Sequence, residues 1–221
     1  TFVDISTKTL GMCPEKLHYF LSTCTKKTPK GLINIHTNRI ITACMPMHTF
    51  GHPTKIDDII SICNQFNIPV VEDSAESLGS KYNNQYTGTF GLLGAFSFNG
   101  NKTITTGGGG MIVTNNEILA KKAKHITTTA KVPHKWDYVH DEIGYNYRLP
   151  NLNAALGCAQ METLHNFIKA KRILAQKYKD SISSNNITFF EEPTQCESNY
   201  WLNCLLFKNK DERNTFLELS N

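Results

Sequence analysis

The stretch Ile68–Met111, IPVVEDSAESLGSKYNNQYTGTFGLLGAFSFNGNKTITTGGGGM, decides the expected fold. It opens on an apolar run, residues 68–71, that ends abruptly in a glutamate and Asp73, and such a run predicts a buried strand. A second strand-like run, residues 95–98, is followed by a short polar segment ending at Lys102 and then by four glycines. Ligands collect beyond the carboxyl ends of strands in α/β sheets. Asp73 and Lys102 therefore stand where chemistry is expected.

Strand-like and helix-like patterns alternate in the part of the chain that precedes the apolar run at residues 68–71. In order, the sequence predicts a strand over Phe2–Ile5, a helix over Pro14–Thr23, a polar connection over residues 25–39, a strand over Ile40–Pro46 and a helix over Lys55–Phe66 with Thr54 as its N-cap. This alternation is the βαβ pattern, which favours a mostly parallel sheet covered by helices. The expected fold class is therefore α/β.

The pattern after Asp73 is more varied. It predicts a short helical turn to Leu78, a hairpin over Lys81–Thr89 with Asn83-Asn84 in its middle, a strand over Gly110–Thr114, a helix over Asn116–His125 and an ordered loop over residues 126–150. A long apolar stripe then predicts one helix over Asn151–Ser181, followed by a strand over Tyr200–Phe207 and a helix from Asp211. We therefore expect a large domain over residues 1–150, a connecting helix over 151–182 and the start of a smaller α+β domain over 183–221.

The composition excludes several classes of protein. The 221 residues include 23 basic and 19 acidic side chains, and a formal charge of +4 is too small to indicate a nucleic-acid partner. No apolar run approaches the length of a membrane span, and no signal peptide is visible in this sequence. Seven cysteines without a CxxC pair argue against a disulfide framework and a structural zinc site. A reducing cytoplasm is the expected compartment.

Two groups of possible metal ligands have simpler interpretations. Cys44, His48 and His52 recur every four residues, but the intervening prolines forbid the helix that would bring them together. A second group could hold a cation, but a solvated loop is the preferred interpretation: Asp137, His140, Asp141 and Glu142. The sequence therefore predicts no metal site. It also lacks the spacing of a P-loop and the GxSxG motif of a serine hydrolase.

Asp73 and Lys102 together fit the chemistry of pyridoxal phosphate. A lysine amine forms a Schiff base with an aldehyde if its site lets it lose a proton, and a buried aspartate can keep a pyridine nitrogen protonated. Ser97 offers a hydroxyl near the lysine, and the glycines at 107–110 allow close approach of the backbone. The same two residues could instead form an ordinary cap or salt bridge, and spacing by itself leaves both interpretations open.

Three separated segments, in order, resemble the sugar-nucleotide aminotransferases: VVEDSAESLGSKYNNQYTGTFG, FSFNGNKTITTGGGGMIVTN and HDEIGYNYRLPNLNAALGCAQ. The resemblance is to the DegT/DnrJ/StrS family of pyridoxal-phosphate enzymes, and it covers residues 1–207. It implies the aspartate-aminotransferase fold, or PLP fold type I, with pyridoxal 5'-phosphate as the cofactor. The segments PMHTFGHP, SFNGNK and TTGGGGM, together with residues 127–136, are most similar to the legionaminic-acid-type branch.

The resemblance implies a role for each matching residue around the cofactor. Lys102 matches the Schiff-base lysine, which also moves the proton between the substrate carbon and the cofactor. Asp73 matches the partner of the pyridinium nitrogen. Glu76 stands three residues later, where many members carry glutamine close to the ring, and its charge would affect the electronics of the cofactor. Ser97 matches a ligand of the phosphate.

The segment GYNYR, residues 144–148, carries two further residues with implied roles. Asn146 matches a residue that reaches the phosphate of the neighbouring subunit's cofactor, so the resemblance implies a homodimer with shared active sites. Arg148 either orients the substrate or braces the loop, and the sequence leaves both open.

The implied activity is transamination of a nucleotide-linked sugar. The branch aminates a 4-keto-6-deoxy-N-acetylhexosamine at C4, with glutamate as the expected donor, for bacterial-type surface-glycan or nonulosonic acid biosynthesis. A sugar dehydratase is disfavoured because dehydratase members replace the lysine by histidine, and a non-catalytic paralogue that keeps the fold and dimer surface remains an alternative. Relative to the family, we expect a central fragment that lacks the N-terminal phosphate loop and ends, at Asn221, within a helix of an unfinished small domain.

Overall fold

The computed structural model describes residues 1–182 and 186–220. Its helices are α1 Pro14–Thr23, α2 Ile56–Gln65, α3 Glu117–Thr127, α4 Asn151–Ser181 and α5 Lys210–Ser220. Its strands are β1 Thr25–Thr28, β2 Gly31–Asn34, β3 Arg39–Ile40, β4 Val71–Asp73, β5 Lys81–Tyr82, β6 Gln85–Tyr86, β7 Leu93–Ser97, β8 Gly110–Val113, β9 Ile187–Phe189, β10 Cys196–Glu197 and β11 Leu205–Phe207. Within these ranges, every helix is too short or too polar to cross a lipid bilayer.

A sheet with strand order β4-β7-β8 carries the candidate site. Strands β4 and β7 run parallel, with Asp73 opposite Ala95, whereas β8 runs antiparallel to β7. On the other side of β4, the extended chain before α2 joins the sheet through two parallel bridges, Cys44 to Val70 and Met47 to Asp73. The sheet is therefore mostly parallel, and three segments leave it at the same edge. This arrangement confirms the α/β fold class.

Helices α1 and α2 are held in place by a shared apolar cluster. Ile56, Ile59 and Cys63 recur at helical spacing on α2, and each is completely buried. They join Leu17 and Leu21 of α1 in a single core. Complete burial of an isoleucine side chain contributes about 1.5–3 kcal/mol. Packing of these faces, rather than the propensity of two ten-residue helices, therefore stabilises this layer.

A smaller apolar cluster lies beside α4. Ala175 of α4 packs with Phe189 and Tyr200, and β9 pairs antiparallel with β11. Between these two strands the chain returns to the β5–β6 hairpin, because Cys196 lies opposite Tyr82 in the β10–β5 ladder. The region predicted as the start of a small domain is therefore hydrogen-bonded to the region predicted as the large domain.

The predicted division into three parts stays a prediction. Its second boundary adjoins residues 183–185, which lie outside the described residues. Asn221, at which the sequence predicts that the last helix continues, also lies outside them. Helix α5 is described from Lys210 to Ser220, which confirms a helix in this region.

Three predictions for the first 60 residues are wrong. Residues 2–5 belong to no strand of the described chain and carry a single bridge, from Ile5 to Met12. The predicted polar connection over residues 25–39 is instead an antiparallel sheet of β1, β2 and β3. Its first strand, TKKT, has no apolar alternation, so only the pairing with β2 shows that it is a strand. Thr54 does not cap α2, since its hydroxyl donates to the carbonyl of Met12 at 3.3 Å and Lys55 takes the cap position.

Other predictions hold to different degrees. The bounds of α1 and α4 are those predicted, and the hairpin turn is confirmed at Asn83 and Asn84, whose φ angles are 48° and 64°. The predicted strand over 40–46 is a ladder only at its start and continues as single bridges. The predicted strand over 200–207 begins only at Leu205, since Tyr200 has a left-handed φ of 47°. Residues 74–78 form hydrogen-bonded turns rather than a helical turn.

Candidate active site

Lys102 lies in the turn that follows β7. Its backbone N–H donates to the carbonyl of Asn99 at 3.0 Å, which closes the turn. Its amine nitrogen lies 4.1 Å from the centre of the Trp201 ring and 4.0 Å from Oε1 of Glu76. Because 13% of the lysine side chain is exposed, the amine is enclosed but still reachable. The structure thus holds a primary amine between an aromatic face and a carboxylate.

Glu76 is oriented by an unusual backbone. Its Oε2 accepts a hydrogen bond from the N–H of Phe50 at 2.6 Å. Phe50 has a φ of 58°, in the left-handed region that a bulky residue rarely adopts. This conformation directs the amide of Phe50 at the carboxylate and leaves the other oxygen of Glu76 facing Lys102.

Asp73 stands at the carboxyl end of β4 and is half-buried. Its backbone is held from both sides: its N–H donates to Pro46 at 2.9 Å, and its carbonyl accepts from His48 at 3.2 Å, while β7 pairs on the opposite side. Its Oδ1 accepts from the N–H of Ala75 at 3.1 Å. The carboxylate is therefore positioned by rigid neighbours on two strands.

A buried pair, His48 and Glu72, lies next to Asp73, and Glu72 is the residue before it in β4. Nε2 of His48 lies 3.0 Å from Oε2 of Glu72, and both side chains are inaccessible to solvent. Backbone N–H groups of Gly88, Phe90 and Gly91 also donate to Glu72 at 2.6–2.8 Å. Burial by itself raises the pKa of Glu72, but these hydrogen bonds and the adjacent His48 outweigh it and lower the pKa below its ordinary value. Glu72 thus ties the hairpin region to β4 just before Asp73.

Ser97 is the last residue of β7, and its hydroxyl accepts a 3.3 Å hydrogen bond from the N–H of Asn99. It pairs with Gly110 at the start of β8. A side chain at position 110 would clash with the carbonyl oxygen of Phe96, so a glycine is required for the two strands to approach. Ser97 therefore lies where the lysine turn and the glycine-rich segment meet.

Asn146 and Arg148 lie apart from this group, in the exposed loop before α4. Arg148 donates from Nη1 to Oδ1 of Asn146 at 3.0 Å and from Nη2 to the carbonyl of Thr128 at 2.9 Å. The hydrogen bonds and ion pairs of the described residues do not link this pair to Lys102 or Asp73. Within one chain, the structure therefore pairs Lys102 with Glu76 and places Asp73 and Ser97 at the ends of two neighbouring strands, but it leaves Asn146 and Arg148 separate.

Two cavities adjoin the loop rather than the lysine. The larger, about 1090 Å³, lies between β8, α3 and the loop, and its lining includes Gly107, Lys124 and Arg148 but, among the described residues, neither Asp73 nor Lys102. The smaller, about 620 Å³, is lined by two lysines, an arginine and a histidine: Lys131, Lys135, Arg148 and His134. Chemistry rather than volume therefore identifies the candidate active site, while the smaller cavity offers a basic surface.

The candidate metal ligands named from the sequence do not assemble as grouped there. Cys44 belongs to the apolar core, His48 bonds to Glu72, and His52 packs between the rings of Phe190 and Tyr200. In the loop, Asp141 and Glu142 lie with His125 within 4.8 Å of one another, and this possible cation site is empty. The amine of Lys122 already contacts the carboxylate of Glu142.

Sequence reasoning missed three residues that contact the predicted set. Trp201 covers Lys102, Phe50 donates to Glu76, and the amide of Asn199 donates to the carbonyl of Glu76 at 2.9 Å. Trp201 and Asn199 are about a hundred residues away from their partners in sequence, so no local spacing could indicate them. The left-handed φ of Phe50 likewise follows from the tertiary structure.

Comparison with known proteins adds the family. The model of the DegT/DnrJ/EryC1/StrS aminotransferase family matches residues 1–220. EpsN of Bacillus subtilis is 37% identical over 211 residues, which are 94% of this chain and 51% of EpsN. The GDP-perosamine synthase of Escherichia coli O157:H7 is 43% identical over 171 residues, which are 77% of this chain and 46% of that enzyme. The chain thus spans about half the length of the curated relatives it matches.

A solved structure adds the fold and the cofactor. The Escherichia coli GDP-4-keto-6-deoxy-D-mannose-3-dehydratase with bound hydrated PLP superposes with a TM-score of 0.79 and 26% identity, covering 98% of this chain and 56% of that one. Aminotransferases of this family use pyridoxal phosphate, and the expected fold type I is confirmed by this likeness. On the strength of the family match over nearly its whole length, the chain belongs to the DegT/DnrJ/EryC1/StrS aminotransferase family.

Proposed function

We propose that this protein is a pyridoxal-phosphate-dependent aminotransferase that converts a nucleotide-linked 4-keto-6-deoxy-N-acetylhexosamine to the 4-amino sugar, with glutamate as donor. The observation that carries the proposal is the enclosed amine of Lys102, 4.0 Å from Glu76, on the turn that leaves the sheet at the same edge as Asp73. The names of the relatives support a sugar substrate, since one is a GDP-perosamine synthase. The C4 position, the N-acetyl group and glutamate rest on the resemblance to the legionaminic-acid-type branch.

The donor set fits the cofactor. When bound, pyridoxal phosphate supplies an aldehyde that bonds covalently to an amine and a ring that accepts electrons from the substrate. Lys102 offers the amine, Asp73 a half-buried carboxylate for a basic ring nitrogen, and Ser97 a hydroxyl for a phosphate. In the proposal these three residues and Glu76 hold the cofactor, and Asn146 reaches the phosphate in a neighbouring subunit.

Lys102 has two tasks in the proposed reaction. It binds the cofactor through Nζ, and when released it carries a proton at that atom to and from the substrate carbon. The carboxylate of Glu76 attracts the protonated amine and keeps it within the site. The hydrogen bond from Phe50 holds Glu76 in that orientation.

Asp73 acts through charge and position. A carboxylate fixed at a strand end favours a protonated nitrogen facing it, because opposite charges attract strongly where water is partly excluded. The strand hydrogen bonds and the Ala75 amide restrict the rotation of this carboxylate.

The basic cavity beside Arg148 suits the nucleotide part of the substrate. Lys131, Lys135 and Arg148 line it, and an arginine fork pairs well with phosphate oxygens. Trp136 and Tyr138 expose 75% and 80% of their surface in the same loop, where they could stack on a base or sugar. We assign substrate orientation to Arg148 on this ground.

The expected assembly and compartment remain part of the proposal. Asn146 is exposed, as a residue that serves a neighbouring subunit must be before assembly, and this supports a homodimer with shared sites. All seven cysteines are free thiols, which suits a reducing cytoplasm. The proposal keeps a large domain over 1–150, a connecting helix over 151–182 and a small domain after residue 182, and the separate apolar cluster beside α4 supports the last of these.

The test is the visible absorption spectrum of the chain titrated with pyridoxal phosphate. We expect a new band in the native chain, its absence in Lys102→Ala, and its retention in the matched control Lys121→Ala, an exposed lysine on α3. Glutamate should then bleach the band and a 4-keto nucleotide sugar should restore it. A band that survives in Lys102→Ala overturns the assignment of Lys102. A chain that binds the cofactor but dehydrates the sugar is a dehydratase, and a native chain that shows no band does not bind the cofactor as proposed.

A further inference from the structure

A single side chain, Trp201, contacts both Lys102 and the residue before it. Its ring centre lies 4.1 Å from the amine of Lys102, within the range of a cation–π interaction. Its indole N–H donates to the carbonyl of Asn101, the preceding residue, at 2.7 Å. Trp201 is 9% exposed, so both contacts lie in a largely water-free region. Trp201 therefore contacts the charged tip of the lysine side chain and also holds the carbonyl of the residue that precedes Lys102.

Trp201 is itself anchored to the turn that carries Glu76. Its backbone N–H donates to Oδ1 of Asn199 at 2.8 Å. The amide nitrogen of Asn199 donates to the carbonyls of Glu76 and Leu78 at 2.9 Å and 3.0 Å, and Asn199 is completely buried. The tryptophan and the carboxylate that face Lys102 are thus joined through one asparagine.

The backbone between Asn199 and Trp201 is built for this placement. Tyr200 has a left-handed φ of 47°, which is costly for an aromatic residue. Its neighbours are held by buried hydrogen bonds, including one from the N–H of Asn199 to Oγ of Ser80 at 2.9 Å. A tryptophan that served only to fill the core would not require the strained residue before it, the N–H bond or the lysine over its face.

We propose that Trp201 is a positioning residue for Lys102. Its ring holds the amine through a cation–π contact, and its N–H fixes the carbonyl of Asn101, which is part of the peptide bond to Lys102. The segment after β10 therefore decides where the reactive amine lies, although it is far from Lys102 in sequence. This inference deepens the proposed function and rests on it, because only the proposed function makes the amine of Lys102 reactive. The position of the amine against the Trp201 ring is a property of the chain without cofactor.

The first test measures the seating without any cofactor. The chain is treated briefly with a lysine-acylating reagent, and the labelling rate of Lys102 is read by mass spectrometry beside that of exposed Lys177. We expect Trp201→Leu to raise the rate at Lys102 by roughly fivefold or more, because an enclosing aromatic face is lost. Trp201→Phe, which keeps a ring, should restore most of the protection. The matched control is Trp136→Leu, because Trp136 also faces a lysine, Lys135, but on the exposed loop. This variant should leave the labelling rate of Lys102 unchanged.

A second measurement needs no substitution at Trp201. In a chain with ¹³C-labelled lysine, the ε-methylene protons of Lys102 are assigned by their loss in Lys102→Ala. Ring currents of the indole should shift them upfield of those of Lys177. The proposal is overturned if these protons resonate with those of Lys177, or if Trp201→Phe labels as fast as Trp201→Leu in folded protein.

The outcomes separate this inference from the proposed function. If the native chain shows no pyridoxal-phosphate band but Trp201→Leu still exposes Lys102, the seating stands and the enzymatic assignment fails. If the band forms with Lys102 and the two tryptophan variants do not differ from the native chain in labelling, the enzymatic assignment stands and the positioning role fails. In an active enzyme, Trp201→Leu should lower kcat more than it raises KM for the amino donor, and Trp201→Phe should recover kcat.

Discussion

Nε2 of His48 and Oε2 of Glu72 lie 3.0 Å apart in the interior, one residue before the aspartate of the candidate site. The N–H of Thr54 donates to the other ring nitrogen of His48 at 3.2 Å, so Nε2 carries the proton and donates to Glu72. The pair links the segment after Met47 to β4, and the backbone donors to Glu72 link the hairpin region to both. The position of Asp73 depends on this buried cluster.

The first prediction concerns the stability that Glu72 supplies. Glu72→Ala should lower the free energy of unfolding by about 3–5 kcal/mol, because it leaves several buried donors without an acceptor. Urea denaturation measures the loss. The matched control is Glu117→Ala, an exposed residue paired with Lys121 on α3, which should leave the midpoint almost unchanged. Equal midpoints for the two variants would contradict the role given to Glu72.

The second prediction concerns pH. Among the described residues, neither ring nitrogen of His52 has a hydrogen-bond partner, and burial lowers the pKa of this histidine to about 4, against a smaller opposite effect of Glu192. Because the unfolded chain takes up the proton first, at a pKa near 6.5, stability should fall as the pH drops from 6.5 to 4. The loss over this window should be about 3 kcal/mol.

The measurement for His52 is urea denaturation at pH 4.5, 5.5 and 6.5. His52→Leu should flatten the dependence over this range, whereas His36→Leu, a substitution of an exposed histidine, should preserve it. Glu72 adds a further loss below its ordinary pKa of 4.5, since its lowered pKa stabilises the fold only above that range. An unchanged slope in His52→Leu would show that another group titrates.

The third prediction compares two substitutions of Glu76. Glu76→Gln keeps an oxygen for the N–H of Phe50, whereas Glu76→Ala leaves this half-buried donor unpaired next to a strained backbone. We therefore expect Glu76→Ala to cost about 1–3 kcal/mol more than Glu76→Gln in thermal or urea unfolding. Similar stabilities for both variants would mean that the 2.6 Å hydrogen bond contributes little.

The fourth prediction tests the close approach of β7 and β8. Gly110→Ala should destabilise the chain by about 2 kcal/mol or more, because its Cβ would meet the carbonyl oxygen of Phe96 and force the strands apart. Gly100→Ala is the control, since among the described residues no atom lies within 4 Å of the added carbon. A tolerated substitution at position 110 would show that the strand ladder can relax.

The fifth prediction concerns substrate binding. Arg148→Ala should raise KM for the nucleotide sugar about tenfold or more with a smaller change in kcat, since a charged hydrogen bond to phosphate contributes about 1.5–3 kcal/mol. Steady-state kinetics on the sugar separates the two parameters. Arg213→Ala, on exposed α5, is the control. If Arg148 only braces the loop through Asn146 and Thr128, Arg148→Ala will instead lower thermal stability and leave KM unchanged.

Helices and tight turns could be predicted from the sequence because their hydrogen bonds are local. The bounds of α1 and α4 follow from a proline at the first turn and from one unbroken apolar stripe, and the hairpin turn follows from two asparagines that tolerate left-handed φ. Strands are harder to predict from the sequence, because their hydrogen bonds go to segments elsewhere in the chain. The TKKT strand β1 is recognisable only through its pairing with β2, and residues 2–5 look like a strand but have no ladder partner in the described chain.

Some residues of the candidate site could likewise be predicted from the sequence, and others could not. The sequence by itself determined that Asp73 and Ser97 end neighbouring strands and that Lys102 follows the second, because residues at the ends of parallel strands must reach the same edge. Their roles at the site stay predictions. Only the tertiary structure decided that Trp201 and Asn199 join them, since the chain after α4 returns to the β5–β6 hairpin and reaches Glu76 and Asn101 from about a hundred residues away. A hydrogen bond across that separation leaves no period or spacing in the sequence, because its geometry depends on how the intervening elements pack.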